Sequence, residues 1–398
     1  MNVRIGMRRS RLVLAGLALA VFPATWAGMA ADDSPEAREV QEQFAHQAGR
    51  IGSLEVSYSL ETTSGLKPAQ LIALSGFRNQ LFLPKDDWTE AFKGEKRYRR
   101  QLQPERVEYL AEPDEFGLVP PQPVDPRAPA AVRKNQQALK DGYDRAIALM
   151  KAQEAKGVPR RPRKDAGLLL PAERDITRAF NGRTAWMRHP INEKTNEVQI
   201  WPLGQKPLHF FGMSSYLSAV GLQPADPTSN GDQIQQVQEM FRLADWFKNH
   251  AYAIERTEAI DGSTCVVLKG SLNSVFKPSL LVGDLSDRIW LDRDHGWAVR
   301  KREQTKDGRV MARWETSRLR EVDPGLWLPT VVRHERFAED APAGWRGKPV
   351  VTEEVRVKSL EVNKVLDDRF DMVPEKGDVI EDLRGSKRSR GGNTKLSQ

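Results

Sequence analysis

The side chains best suited to chemistry are spread thinly along this chain. His334-Glu335 sets an imidazole beside a carboxylate, but the second histidine that a zinc-binding helix carries four residues on is missing, and the pair lies in a β-type run. Asp292-Arg293-Asp294-His295-Gly296 imitates the opening of a calcium loop, although Gly296 fits the turn of a hairpin better. His46, His189, His209 and His250 follow no metal-ligand spacing. Asp284, Asp287 and Asp292 could offer paired carboxylates, yet read as solvated loop residues. Neither a glycine-rich phosphate loop nor a Gly-x-Ser-x-Gly elbow occurs. Cys265, the one cysteine, sits in the apolar run Thr264-Cys265-Val266-Val267-Leu268 with no His or Lys beside it to lower its pKa. These residues predict no enzyme, no metal and no cofactor, so function is sought in a binding surface.

The elements that would position such a surface are mainly β. Leu54, Val56, Tyr58 and Leu60 alternate with Glu55, Ser57, Ser59 and Glu61, which predicts a strand with one face on a core. Phe77 to Leu83 and Tyr98 to Leu102 are expected strands as well. Ile176 to Phe180 and Thr184 to Met187 flank Asn181-Gly182, Tyr252 to Ala259 and Thr264 to Leu268 flank Asp261-Gly262, and Lys306-Asp307-Gly308-Arg309 marks a third hairpin. Ile289-Trp290-Leu291, Gly296 to Val299, Val310 to Trp314 and Leu326 to Pro329 read as consecutive antiparallel strands that each carry a tryptophan, closed by Phe370 to Gly377. Two helices are expected. Ser34-Pro35 supplies a cap and a first-turn proline ahead of Val40, Phe44, Ala48 and Ile51, and a second helix after Asp232 would present Ile234, Val237, Phe241 and Ala244.

Both ends and one internal stretch differ from this body. Arg4, Arg8, Arg9 and Arg11 precede an apolar run from Leu12 to Phe22 and then small residues, which predicts a signal peptide over 1–30 and a periplasmic or secreted product. The formal charge of +7 falls to +3 without those four arginines, and residues 31–382 carry −2 once the five basic residues of 383–398 are also set aside. A near-neutral body predicts no nucleic-acid partner. The basic 383–398 tail is expected to be disordered and able to touch an anionic envelope surface. Residues 111–171 hold nine of the 25 prolines, which withhold ladder donors, around a helix-forming run from Ala130 to Ala155; this reads as an insert that interrupts the 31–382 domain. With a single cysteine no internal disulfide forms, so a core must supply stability.

The order of these elements resembles the outer-membrane lipoprotein carrier superfamily, which includes the LolA and LolB carriers and the stress regulator RseB. The resemblance rests on the opening helix before Gly52-Ser53-Leu54, Gly94 to Tyr98, the Asp261-Gly262 hairpin ending at Leu268, Ile289 to Asp292 followed by Trp297 to Arg300, Leu326 to Pro329, and Asp367 to Gly377. It implies an α+β, mainly β fold, a curved antiparallel sheet forming an incomplete (half) barrel with helices on the concave side. It also implies non-covalent binding of a hydrophobic ligand or lipidated protein, without chemistry, or an RseB-like regulatory use of the same fold. Arg78, Arg97 and Arg99 all fall in the region of the family's lid-locking arginine. Tyr58, Trp186, Trp290, Trp297, Trp314 and Trp327 are the expected ligand-binding residues, because each combines a large apolar area with one polar atom. Alternation places Trp290 near a rim and Trp327 in the interior. A monomer is expected.

Overall fold

The computed structural model describes residues 34–66, 70–71, 74, 81–82, 85–103, 108–109, 121, 124, 126, 130–155, 174–192, 195–202, 213–224, 238–272, 284–383 and 387–390. The expected signal peptide and most of the proline-rich stretches lie outside them. The chain divides into two compact units, one holding 1–29 and 120–160 and the other 30–119 and 161–398.

The larger unit opens with α1 (Pro35–Gly49), where the Ser34 hydroxyl accepts from the Ala37 amide and Pro35 takes the first turn. β1 (Ser53–Thr63) follows and buries Leu54, Val56, Tyr58 and Leu60, as the alternation predicts. β2 (Leu81–Phe82) pairs with β5 (Glu108–Tyr109) as a small separate ribbon, and between them lie β3 (Lys85–Lys93) and β4 (Lys96–Gln103). In the smaller unit the described helix is α2 (Ala130–Ala155), with the bounds expected of its Ala/Lys/Gln/Glu run. Its exposed side chains pair one turn apart, as in Lys140 with Asp144.

The remaining elements are β6 (Arg174–Phe180), β7 (Thr184–Asn192), β8 (Thr195–Pro202), the short helices α3 (Ser215–Ala219) and α4 (Leu243–Asn249), β9 (Tyr252–Ile260), β10 (Ser263–Ser271), β11 (Leu285–Asp292), β12 (Ala298–Lys306), β13 (Arg309–Asp323), β14 (Leu326–Arg336), β15 (Val351–Val362), β16 (Val379–Asp382) and β17 (Lys387–Arg390). Fifteen strands form one sheet in the order β17-β16-β8-β7-β6-β4-β3-β1-β15-β14-β13-β12-β11-β10-β9, so it does not close into a barrel. The ladders are antiparallel except for β16 on β8, which makes the sheet mixed rather than purely antiparallel.

Several expectations change here. Phe370 to Gly377 is no strand; Asp367–Phe370 forms a 3-10 turn, and the strand that joins β14 to β1 is β15. The helix expected after Asp232 is described only near its end, where a turn at Met240 and Phe241 precedes a separate helix, α4. Four residues of the tail expected to be without structure, Lys387–Arg390, pair with β16. Among the described residues no helix is long and apolar enough to cross a membrane.

Candidate ligand-binding site

The side chains of one sheet face and of α1, α3 and α4 in the larger unit converge in a single apolar cluster. β1 gives it Leu54, Val56, Tyr58 and Leu60, and the strands from β10 to β15 give Val266, Leu268, Ile289, Leu291, Val299, Trp314, Leu328, Val332 and Val355. Against them lie Val40 and Phe44 of α1, Tyr216 and Leu217 of α3, and Trp246 and Phe247 of α4. Each large side chain fully buried in this way contributes about 1.5–3 kcal/mol. Ring packing sets the spacing: Phe44 meets Phe247 edge-on at 5.8 Å, Phe241 meets Trp314 at 5.3 Å, and Tyr58 and Tyr216 stand 6.1 Å apart.

A buried polar chain ties this helix layer to the sheet. The Trp246 indole donates to the Tyr252 hydroxyl (2.9 Å), which donates to Asp287 Oδ2 (2.8 Å). Arg302 grips Asp287 through Nε (2.9 Å) and Nη2 (2.7 Å) and donates from Nη1 to the Met240 carbonyl (2.9 Å). Arg302, Asp287 and Tyr252 are essentially without solvent exposure, and burial together with the Asp287 charge holds the Tyr252 hydroxyl well above its ordinary pKa. Every donor in the chain finds an acceptor, which makes it affordable in an apolar layer.

Beyond β1 the same face turns ionic. In register with Val56 stands Glu90 on β3, then Arg99 on β4, Arg178 on β6, Met187 on β7 and Gln199 on β8. Glu90 pairs with Arg99 Nε (3.0 Å) and accepts from the Ser214 hydroxyl that caps α3. Arg99 lies over the Trp88 ring at 4.2 Å and donates to the Met213 carbonyl (3.0 Å). Four residues back along β3, on the same face, Asp86 accepts from Gln101 (2.9 Å) and is pushed up to about 6, by burial first.

The six expected ligand residues do not share one face. Tyr58 and Trp314 are in the helix-facing cluster, and Trp297 packs partly against it with φ +62 in the turn before β12. Trp290 is not at a rim. It is fully buried on the opposite face with Cys265 and Val267, under Lys301 (4.7 Å) and Arg256 (5.7 Å), because long cationic side chains cover it. Trp327 is half-buried, not interior, and meets His295 edge-on at 4.7 Å, since Leu326 and Leu328 take the inner face of β14. Trp186 packs with Val198, Ile200 and Ile380 on the face opposite Arg178.

The motifs with chemical potential prove structural. Asp292 is wholly buried; its Oδ1 accepts from the amides of Asp294 (3.0 Å) and His295 (3.1 Å), and its Oδ2 from Arg300 (3.0 Å). Glu303, at the twelfth position where a calcium loop carries its bidentate carboxylate, is paired instead with Arg313 (2.8 Å) and Lys301 (3.0 Å). Asp287 and Asp292, expected in solvent, lie inside β11 because Arg302 and Arg300 neutralise them. His334 stacks on Trp314 at 4.5 Å and pairs with Glu353 (3.0 Å), while its neighbour Glu335 turns to Arg313 on the other face. Burial pushes the Cys265 thiol up to about 12. Among the described residues no three His, Cys, Asp or Glu side chains are placed to hold a metal ion.

Sequence reasoning missed Glu90, Arg178, Asp287 as a buried group, and Arg302. Of the three arginines considered for the family's lid contact, Arg78 lies outside the described residues, Arg97 donates to the local carbonyls of Gly94 (2.5 Å) and Lys96 (2.7 Å), and Arg99 reaches the residue before the cap of α3.

No family model matches the chain, and no curated protein matches it. Among solved structures it is similar to a LolA superfamily protein from Nitrosomonas europaea, at 11% identity and TM-score 0.31 over 84% of this chain and 97% of that one. It is also similar to a DUF1329 family protein from Desulfovibrio piger (10%, 0.34, 85% and 98%) and to LprF from Mycobacterium bovis (8%, 0.28, 84% and 96%). Identities this low carry no residue across.

Proposed function

We propose that this chain is a non-catalytic envelope protein that, after export, holds a hydrophobic ligand, an acyl chain or a lipidated protein, between its helix layer and the apolar half of the sheet. The observation that carries the reading is the nature of the cover: beside α1, the apolar cluster is roofed by helices of five and seven residues, α3 and α4. Helices of that length have no stability of their own in water, so they depend on the surface beneath them and can exchange that surface for a ligand. An acyl chain with about a dozen CH₂ groups brings roughly 10 kcal/mol of burial. Lifting α4 and the Met240 turn breaks the Trp246–Tyr252 and Arg302–Met240 hydrogen bonds, together about 2–4 kcal/mol, which the ligand term exceeds.

One observation favours a second reading, a protein-interaction module of the RseB type. Among the described residues the apolar face is filled, with Tyr58, Tyr216, Trp246 and Trp314 each 5% exposed or less. Native mass spectrometry of protein purified from the envelope without detergent separates the two, together with titration of a fluorescent fatty acid. The ligand reading expects co-purifying lipid and saturable binding. Finding neither removes it and leaves the interaction module.

A further inference from the structure

We propose that Arg178, with Arg99 beside it, binds the anionic group of this protein's ligand, a carboxylate or a phosphate, while the apolar part lies on the neighbouring half of the sheet. The proposal rests on the hydrophobic-ligand reading above and extends it to an anionic amphiphile. Arg99 and Arg178 stand directly opposite each other across β4 and β6. Like charges in that position destabilise a sheet. Arg99 is answered by Glu90, by the Trp88 ring and by the Met213 carbonyl. The Arg178 side chain makes no hydrogen bond, ion pair or ring contact with another described residue. Its next neighbour across the sheet is Met187, which offers no charge.

The acids on this face are spoken for. Glu90 serves Arg99 and Ser214, Asp86 accepts from Gln101, and Glu197 faces His189 at 3.4 Å and Gln199 at 3.3 Å. Two guanidinium groups thus stand side by side with one carboxylate, Glu90, which pairs with Arg99 alone, and half-buried Arg178 has no acceptor among the described residues. Burial and the Arg99 charge push Arg178 down to about 10, with no acid working against them. A guanidinium at that value is still charged at neutral pH, and an uncompensated, partly buried charge costs stability until an anion arrives. Arg178 is three strand spacings from Val56, the nearest apolar-cluster residue in its row, or about 14 Å. One amphiphile can reach both.

The test compares four probes on the protein purified from the envelope and on Arg178→Met: a fluorescent fatty acid, lysophosphatidic acid, a fatty alcohol of equal length, and inorganic phosphate. Expected are tighter binding of the two anionic lipids than of the alcohol, a loss of about 10- to 100-fold for those lipids alone in the variant, and a higher melting midpoint for the unliganded variant. Equal affinity for acid and alcohol, unchanged by the substitution, overturns the anion site while leaving the hydrophobic-ligand reading intact. Arg178-dependent binding of phosphate with no lipid bound keeps the anion site and removes that reading. A variant less stable than the parent overturns the assignment by showing a structural role, and Arg178→Gln repeats the comparison with a polar side chain.

Discussion

Asp86 shows how a single enclosed side chain links this fold to pH. It has no solvent exposure, its Oδ1 has no partner among the described residues, and one hydrogen bond from Gln101 does not offset the desolvation that raises it from 3.8 to about 6. A carboxyl whose folded pKa lies above its unfolded value favours folding while it is protonated. That contribution is whole below about pH 4 and is lost as pH rises through about 6, so at neutral pH the anion costs about 3 kcal/mol. Asp86→Asn is expected to be more stable than the parent by about that amount at pH 7.5 and close to it at pH 4, as measured by urea unfolding at the two values. Equal stability at pH 7.5 would sink the assignment. Asp287 is the opposite case, a buried acid with its cation in place. Asp287→Ala leaves Arg302 unpaired and is expected to cost about 3–5 kcal/mol, whereas Asp287→Leu with Arg302→Met recovers most of the loss. A double variant as unstable as the single one would show that the pair does more than neutralise itself.

At the scale of elements, what could be read from the sequence was whatever repeats or turns in a recognisable way. The Asp307-Gly308 hairpin has φ +49 and +75, as a two-residue turn demands, and α1 begins at its serine cap. β3 was not legible, because its inner face is Asp86, Trp88, Glu90 and Phe92, and buried acids look like surface residues in a linear pattern. For the same reason Arg99 and Arg178 gave no signal: cations alternating along a strand read as a solvated face, and only the register between β4 and β6 puts them opposite each other. β15 was hidden by the irregularity in its pairing with β1 near Ser57 and Tyr58, which interrupts the alternation. Turn chemistry also supplies a test of how tightly two loops meet. A Cβ at Gly296 would lie 2.3 Å from the Gly325 carbonyl at φ +59, while one at Gly308 meets nothing within 4 Å. Gly296→Ala is expected to cost about 2–4 kcal/mol and Gly308→Ala about 1 kcal/mol. Equal losses in thermal unfolding would mean that the 296 turn does not pack on the 325 turn.

For the whole molecule, the sheet carries its own instructions across the insert. β4 and β6 pair along their full length, from Arg97 with Phe180 to Gln103 with Arg174, although residues 111–171 separate them in the chain. α2 belongs to the other compact unit and uses exposed pairs such as Lys140 with Asp144. Replacing 111–171 by a Gly/Ser linker about a sixth as long should lower the entropy of closing the β4–β6 pair by roughly 1.5 kcal/mol. The shortened protein is therefore expected to fold, to melt no lower than the parent, and to bind the same fatty acid with unchanged affinity. If it folds but loses that binding, the insert forms part of the ligand site and the roof proposed here is incomplete. If binding stays and Arg178→Met still weakens the anionic probe alone, then recognition lies wholly within the sheet and the helices α1, α3 and α4, with the apolar and ionic halves of one face each holding one end of the ligand.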